Sequence, residues 1–216
     1  MENDRRLGRE DWMRAARLAL LHTGPDSVRV EKLARTLNVT KGSFYWHFKD
    51  RNEILEALLR EWEEETATLT RDALAHPDPR EGLRHLLEII KTTVVLSERG
   101  EAPSDAAMFA WASMSADVAR RVNQVERQRL QFFTQLTGKP DRAELAYYAY
   151  LGFITRRRRV PAAAAGFPLL AEMLFDLLAG SSSARFLARS KSKSISKAKA
   201  KSKRRHEKTS LSSSVR

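Results

Sequence analysis

Apolar residues recur along the chain with the spacing of helices that are packed on one side. In the first such stretch, Trp12, Ala16 and Leu20 are four residues apart and so lie on one helical face. Strict alternation of apolar and polar residues, which would indicate strands, is rare. The pattern therefore predicts an all-α fold. The predicted helices cover residues 9–22, 30–37, 40–48, 50–74, 83–94, 105–114, 115–136, 141–157 and 167–178.

Residues that favour helix ends separate these stretches. Gly24 and Pro25 follow the first helix, since glycine ends helices and proline cannot continue one. Asp50 can cap the fourth helix, and Glu53 three residues later completes a capping box. Ser115 can cap the seventh helix in the same way. The chain is thus expected to form a group of four helices followed by a group of five.

Between Val28 and Arg51 the chain reads as helix, tight turn and helix. Asn38, in the turn, is one of the few non-glycine residues that tolerate a left-handed backbone. Val39 provides an apolar side chain that can pack between the two helices, and Thr40 can cap the second helix. This is the arrangement of a helix-turn-helix, whose second helix can enter the major groove of DNA. A plain three-helix packing motif is the alternative interpretation of the same pattern.

The second helix of this motif has an outer face suited to DNA. Phe44 and Phe48 anchor the helix from behind, while polar or amphipathic residues face outward. Gly42 removes a side chain where two backbones must come close, and Lys49 and Arg51 stand just beyond, placed for phosphates. The outward residues are Thr40, Lys41, Ser43, Tyr45 and Trp46.

The segment from Gly24 to Leu59, with TKGSFYWHFKDRNEIL at its centre, resembles the DNA-binding domain of the tetracycline-repressor (TetR) family. In that family the third helix reads the operator. The resemblance therefore implies DNA contacts from this helix, including His47, with Arg51 at a phosphate-binding position. Trp46 and His47 could instead be core residues. The predicted DNA-binding residues are Thr40, Lys41, Gly42, Ser43, Tyr45, Trp46, His47, Lys49 and Arg51.

Two residues of the second helix depart from the pattern of that family. Arg29 stands where a capping serine or threonine is common, and Glu31 stands where a phosphate-contacting basic residue is common. Arg29 could supply the positive charge that Glu31 removes, or the docking on DNA could be shifted.

The five later helices are similar in number, order and length to the effector-binding and dimerisation domain of the same family. The resemblance implies a homodimer in which the last two helices of each copy form a four-helix bundle. An apolar stripe for that bundle is expected at Leu170, Met173, Leu174 and Leu177. The predicted domains are a helix-turn-helix domain at 1–50, an effector-binding and dimerisation domain at 51–180, and a tail at 181–216.

Aromatic and methionine residues are common on the middle helices of this second domain. Such side chains suit an apolar effector pocket, although any one of them could also be ordinary core. The predicted effector is accordingly a small and largely apolar molecule. The predicted ligand-binding residues are Met108, Trp111, Phe133 and Tyr148.

The residue types present exclude several classes of function. The 216 residues include no cysteine, which excludes a disulfide scaffold, a thiol nucleophile and thiolate-bound metal. Neither a nucleophile–base pair, a phosphate-binding loop nor a metal-ligand cluster is visible, so no enzyme, cofactor or metal site is expected. No apolar run approaches the roughly 20 residues that span a bilayer. The expected location is the cytoplasm, with no membrane contact.

The positive charge is concentrated in residues 181–216. This segment holds 12 Lys and Arg against one acid, Glu207, and so carries nearly all of the net charge of +12. It also contains 12 serines and few apolar residues, a composition that predicts disorder. The segment could bind phosphates non-specifically, act as an inert solubilising extension, or have no selected function.

These observations point to a sequence-specific transcriptional regulator that binds a double-stranded DNA operator as a homodimer. The resemblance implies repression that is relieved by a small-molecule effector. A two-fold dimer can read two half-sites, which compensates for the limited specificity of one helix-turn-helix. The alternative is a general DNA-coating or nucleoid-associated protein that acts through its basic tail.

Overall fold

The computed structural model describes residues 7–180, and all regular secondary structure in this range is helical. No strand occurs between residues 7 and 180, which confirms the predicted all-α class. Short 3₁₀ helices at Pro25–Ser27 and Pro161–Gly166 connect longer elements. The nine α-helices of this range are α1 (Arg9–Thr23), α2 (Val30–Thr36), α3 (Lys41–Tyr45), α4 (Arg51–Ala75), α5 (Pro79–Glu98), α6 (Asp105–Ala112), α7 (Ala116–Thr137), α8 (Pro140–Arg159) and α9 (Phe167–Ala179).

The predicted helix ends are visible as specific hydrogen bonds and backbone angles. The Asp50 side chain accepts a hydrogen bond from the Glu53 N–H at 2.9 Å, and the Ser115 hydroxyl accepts one from the Val118 N–H at 3.5 Å. Gly24 ends α1 with φ of 86°, a left-handed value that glycine adopts without strain. Each cap satisfies backbone groups that the helix itself leaves unpaired.

The third helix is shorter than the sequence predicts. It ends at Tyr45 instead of continuing to Phe48, and the N–H groups of His47 and Phe48 both donate to the carbonyl of Phe44, at 2.9 and 3.0 Å. Phe44 and Phe48 are both fully buried. The backbone therefore forms a tight turn after α3, and this turn brings both rings into the core before α4 begins.

One hydrophobic core joins the first four helices to α6 and the start of α7. Trp12 and Leu58 lie at 0% exposure in this core, and Met108 and Val122 contribute to the same cluster. The helix-turn-helix is therefore packed directly against part of the chain that follows it. The predicted boundary at residue 50 stays a prediction.

A second core lies between α5, α8 and α9, with Leu83, Phe167 and Leu174 among its buried members. The turn from α4 to α5 is close, because a Cβ on Gly82 would lie 2.4 Å from the Ala73 carbonyl oxygen. Glycine at this position lets the two helices pack as a tight antiparallel pair.

Neither a membrane-spanning helix nor a metal-binding cluster occurs within the described residues. Among the helices within residues 7–180, none is long and apolar enough to cross a membrane. The same range contains no group of three or more histidine, aspartate or glutamate residues placed to hold a metal ion. The predicted disordered tail at 181–216 lies outside the described residues.

Candidate DNA-binding surface and internal cavity

The helix-turn-helix is held from behind by a cluster of aromatic rings. Phe44 contacts Trp12 edge-to-face at 5.2 Å and stacks on Phe48 at 5.4 Å between ring centroids. Asn38 in the turn has φ of 56°, as its tolerance of the left-handed region predicts. The Val39 N–H donates to the Ala34 carbonyl at 3.0 Å, which closes the turn between α2 and α3.

The aromatic side chains next to this cluster face solvent. Tyr45 is 60% exposed and Trp46 is 88% exposed. The interpretation of Trp46 as a core residue is therefore wrong. Lys41 and Lys49 are exposed, and Ser43 is half-buried. The structure thus brings most of the predicted DNA-binding residues onto one continuous stretch of surface. Those that are exposed are Thr40, Lys41, Gly42, Tyr45, Trp46 and Lys49.

Two predicted DNA-binding residues hold the module together. His47 is half-buried, and its Nε2 lies 3.2 Å from the Leu7 carbonyl oxygen. Arg51 donates from Nε to the Val28 carbonyl and from Nη2 to the Pro25 carbonyl, each at 2.7 Å. Arg51 thereby fastens the start of α4 to the segment that precedes α2. Its predicted phosphate contact would have to be made by the remaining, exposed part of the guanidinium.

The departures from the family pattern in α2 are also visible as contacts. Arg29 makes no side-chain cap for α2 and donates instead to the Asp26 carbonyl at 2.8 Å. Glu31 lies 3.4 Å from Nζ of Lys41. Backbone hydrogen bonding first, and Lys41 second, hold the pKa of the Glu31 carboxyl below its usual value. Lys41 must leave this exposed pair if it is to contact DNA.

A cavity of about 110 Å³ lies between α4 and the later helices. Most of its wall is apolar and comes from α5, α7, α8 and α9. Representative apolar lining residues are Leu86, Ile90, Phe133, Ile154 and Leu178. A concave, mostly apolar space with a few polar groups is the usual form of a small-molecule site.

Only Phe133 of the four predicted ligand-binding residues lines this cavity. Met108 and Trp111 are buried in the core that includes the first four helices. Tyr148 is 57% exposed, whereas Tyr147 and Tyr150 line the cavity. Adjacent helical residues point in directions about 100° apart, so neighbouring tyrosines face different sides of one helix.

A polar network at the edge of the cavity was not anticipated from the sequence. Asp105 accepts hydrogen bonds from both Arg129 Nη atoms, at 2.7 and 2.9 Å, and from Trp62 Nε1 at 2.6 Å. The Tyr150 hydroxyl donates to Asp105 at 2.8 Å, and Arg129 also donates to the Thr66 hydroxyl at 2.9 Å. These residues come from four helices, and no local motif connects them.

The ionisation of this network follows from its contacts. Burial opposes the charge of Asp105, but the attraction of Arg129 and the hydrogen bonds outweigh it and lower the pKa of the carboxyl. Burial also opposes the charge of Arg129, and Asp105 outweighs that effect and raises the arginine pKa. Burial, together with Asp105, raises the pKa of the Tyr150 hydroxyl. Asp105 and Arg129 therefore form a charged pair with a neutral tyrosine at neutral pH.

A loop next to the cavity contacts α1, the helix that precedes the helix-turn-helix. Arg17 of α1 is buried, and its Nε donates to the Gly100 carbonyl at 2.6 Å. Its Nη1 donates to both carboxylate oxygens of Glu61 in α4, at 2.8 and 2.9 Å. The same loop continues into Pro103 and Asp105, which line the cavity. A direct chain of contacts thus runs from the cavity wall to α1.

Comparison with known proteins matches the N-terminal part of the chain to a sequence family. Residues 13–58 match the model that describes bacterial regulatory proteins of the tetR family. The HTH-type transcriptional repressor AcnR of Corynebacterium diphtheriae is 29% identical over 92 residues. That alignment covers 38% of this chain and 48% of AcnR. The chain therefore spans about half the length of this relative.

Solved structures are similar over most of the chain. The fatty acid degradation regulator FadR from Bacillus halodurans aligns with a TM-score of 0.58 at 13% identity, covering 81% of this chain and 97% of FadR. A TerR/AcrR-family transcriptional regulator from Aquifex aeolicus aligns with a TM-score of 0.54 at 19% identity, covering 78% and 95%. At these identities the likeness shows the shared helical fold.

The match over residues 13–58 coincides with the helix-turn-helix and the start of α4. The remaining helices continue in the fold of the solved regulators. Residues 13–58 therefore carry the sequence pattern of the bacterial regulatory proteins of the tetR family.

Proposed function

We propose that this protein is a sequence-specific transcriptional regulator, a repressor that binds operator DNA as a homodimer and leaves it when a small molecule occupies the cavity. The matched family and the repressor AcnR support a DNA-binding regulator, and they favour it over a DNA-coating protein. Such a regulator acts in the cytoplasm, where the DNA is. The predicted DNA-binding residues and the division at residue 50 are part of the proposal.

The exposure of Tyr45 and Trp46 is the observation that carries the proposal. Two large aromatic side chains stand in solvent, at 60% and 88% exposure, while Phe44 between them and the core is fully buried. The buried ring fixes the backbone and so presents its neighbours outward. Amphipathic side chains in this position of a helix-turn-helix can contact base edges and the sugar–phosphate backbone.

The contact between Arg17 and Gly100 supports the proposed release by a ligand. The loop that carries Gly100 continues into the cavity wall at Pro103 and Asp105. A molecule that changes the position of this wall would also move α1, because Arg17 holds the loop to α1 and α4. Binding at the cavity and binding to DNA would then be coupled in both directions, as linkage requires.

The proposed dimer uses the exposed faces of α8 and α9. Leu145 and Tyr148 lie three residues apart on α8, and Leu169 and Met173 lie four apart on α9; all four are at least 45% exposed. Such spacings place each pair on one helical face. Of the predicted stripe, only Met173 is exposed. Leu174 is 5% exposed and lines the cavity, and Leu170 and Leu177 pack partly buried against the core of their own chain.

The test is selection of DNA sequences from a random pool by the purified full-length protein, followed by titration of the selected duplex. Trp46→Ala and Tyr45→Ala should each weaken binding by about 1–3 kcal/mol if the side chains make specific contacts. Val95→Ala is the matched control, since Val95 is an apolar residue of α5 that is 48% exposed. No enriched sequence, or unchanged affinity in folded Trp46 and Tyr45 variants, would contradict the proposal.

A further inference from the structure

Four charged side chains line the cavity, and three of them are already compensated. Arg129 and Asp105 form a bidentate ion pair, and their side chains are only 13% and 12% exposed. Arg157 is 10% exposed, pairs with Glu98, and donates to the Val94 carbonyl at 2.8 Å. The fourth charged lining residue is Glu65 of α4.

The Glu65 side chain has no hydrogen bond or ion pair to any other residue in the range 7–180. Its side chain is half-buried against the apolar wall. Burial first, and the nearby carboxylates of Glu61 and Asp105 second, raise the pKa of Glu65. The positive charges of Arg17 and Arg129 act in the opposite direction, but other carboxylates already hold both. The cavity wall therefore carries a carboxylate that lacks a counter-charge.

An anionic ligand would find no equivalent partner in this wall. The Arg157 Nε is buried and has no acceptor among the described residues, but the guanidinium as a whole is neutralised by Glu98. It therefore offers one hydrogen-bond donor, which a neutral oxygen can satisfy. An added anion would lie near the carboxylates of Glu65 and Asp105, and like charges in a poorly hydrated space repel strongly.

We propose that the effector is a lipophilic amine, which places its apolar body against the cavity wall and its protonated nitrogen on the carboxylate of Glu65. The identification rests on the proposed function, because it names the ligand of the proposed regulator. Leu86, Ile90 and Phe133 supply the apolar contacts. The ammonium replaces the water that burial has removed from Glu65, and hydrogen bonds between charged groups are the stronger class.

Titration calorimetry of the full-length protein at neutral pH can test this with three probes of one shape. Phenylbutylamine is a cation, phenylbutanol is neutral and phenylpentanoate is an anion, and all three carry the same phenyl ring and chain of methylene groups. The amine should bind about tenfold or more tightly than the alcohol, in keeping with the strength of a charge-assisted hydrogen bond. Phenylpentanoate should bind most weakly.

Two variants assign the preference to Glu65. Glu65→Gln keeps the shape and removes the charge, so the amine should lose its advantage while phenylbutanol binds as before. Glu65→Leu should also abolish the advantage of the amine, because leucine is apolar and its side chain is similar in length to that of glutamate. Glu64→Gln is the control, since Glu64 is the exposed neighbour on the same helix and should leave the preference unchanged.

The idea is overturned if phenylbutylamine binds no more tightly than phenylbutanol, including the case in which neither binds. It is also overturned if the amine preference persists in folded Glu65→Gln protein. A measurement of operator binding in the absence of the amine tests the proposed regulator function independently of the ligand. A protein that selects a DNA sequence but shows no amine preference remains a regulator with a different ligand.

Discussion

Replacement of Asp105 by alanine is expected to destabilise the protein by about 3–5 kcal/mol, the usual cost of removing one partner from a buried ion pair. The guanidinium of Arg129 would keep its charge at 13% exposure and lose the two hydrogen bonds at 2.7 and 2.9 Å. The Trp62 and Tyr150 donors would lose their acceptor as well. The cost arises mainly from donors left without partners, since the net gain from each bond made is only about 1 kcal/mol.

Urea unfolding measures the free energy of unfolding of each variant. All variants are compared at the same protein concentration, because dimerisation would add to stability. Asp117→Ala is the matched control. Asp117 also lies in the first turn of a helix, but its side chain is 84% exposed and its partner Arg120 is 72% exposed. Loss of such a surface pair should cost at most about 1 kcal/mol.

A double-mutant cycle separates the pair from its surroundings. Arg129→Met alone should also be destabilising, because it leaves the Asp105 carboxylate buried. The double variant removes both charges and should be more stable than the sum of the single effects predicts, by about 0.5–3 kcal/mol. The reasoning fails if Asp105→Ala costs no more than Asp117→Ala, or if the two single effects simply add.

The pH dependence of the same variant has a defined sign. The pKa of folded Asp105 lies below its ordinary 3.8, so the carboxylate stabilises the protein fully above that value. The contribution is lost only as the pH falls through the lowered pKa of the folded state. The stability difference between wild type and Asp105→Ala should therefore be constant near neutrality and narrow only in acid. A difference that already narrows between neutrality and mild acid would contradict the assigned shift.

Three further predictions concern the loop, the dimer and the tail. Gly100→Ala should cost about 1–3 kcal/mol in thermal melts, since φ is 69° and a Cβ would lie 2.7 Å from Leu18 Cγ; an unchanged melting temperature would show that the loop can give way. Met173→Glu should dissociate the proposed dimer in sedimentation runs without unfolding the chain, because an unpaired carboxylate is costly to bury at an apolar interface. A dimer that persists undiminished would exclude this face. Removal of residues 181–216 should lower affinity for random DNA and flatten its salt dependence while operator preference survives; loss of all preference would favour the DNA-coating alternative.

The sequence by itself determined the helices, their order and most of their ends. The spacing of Trp12, Ala16 and Leu20 is a local property, and all three are buried on one face of α1. Asn38 adopts the left-handed conformation that its side chain permits, and Asp50 caps α4 as expected. Propensity, capping and periodicity act between residues within a few positions of each other, so they can be read directly from the chain.

The surface of the helix-turn-helix was also predictable, within limits. Phe44 and Phe48 are buried and Tyr45 and Trp46 exposed, as the alternation of anchors and outward residues indicates. The engagement of His47 with Leu7 was not predictable, because the partner lies 40 positions away along the chain. DNA contact by these residues stays a prediction.

Only the tertiary structure decided which side chains face the cavity. Tyr147 and Tyr150 line it and Tyr148 does not, although all three have similar neighbours in the sequence. The rotation of α8 about its own axis decides between them, and that rotation is set by packing against α7 and α9. The pairing of Asp105 with Arg129 likewise depends on how α6 and α7 meet, because a hydrogen bond needs atoms within about 3 Å and sequence spacing fixes no such distance between helices.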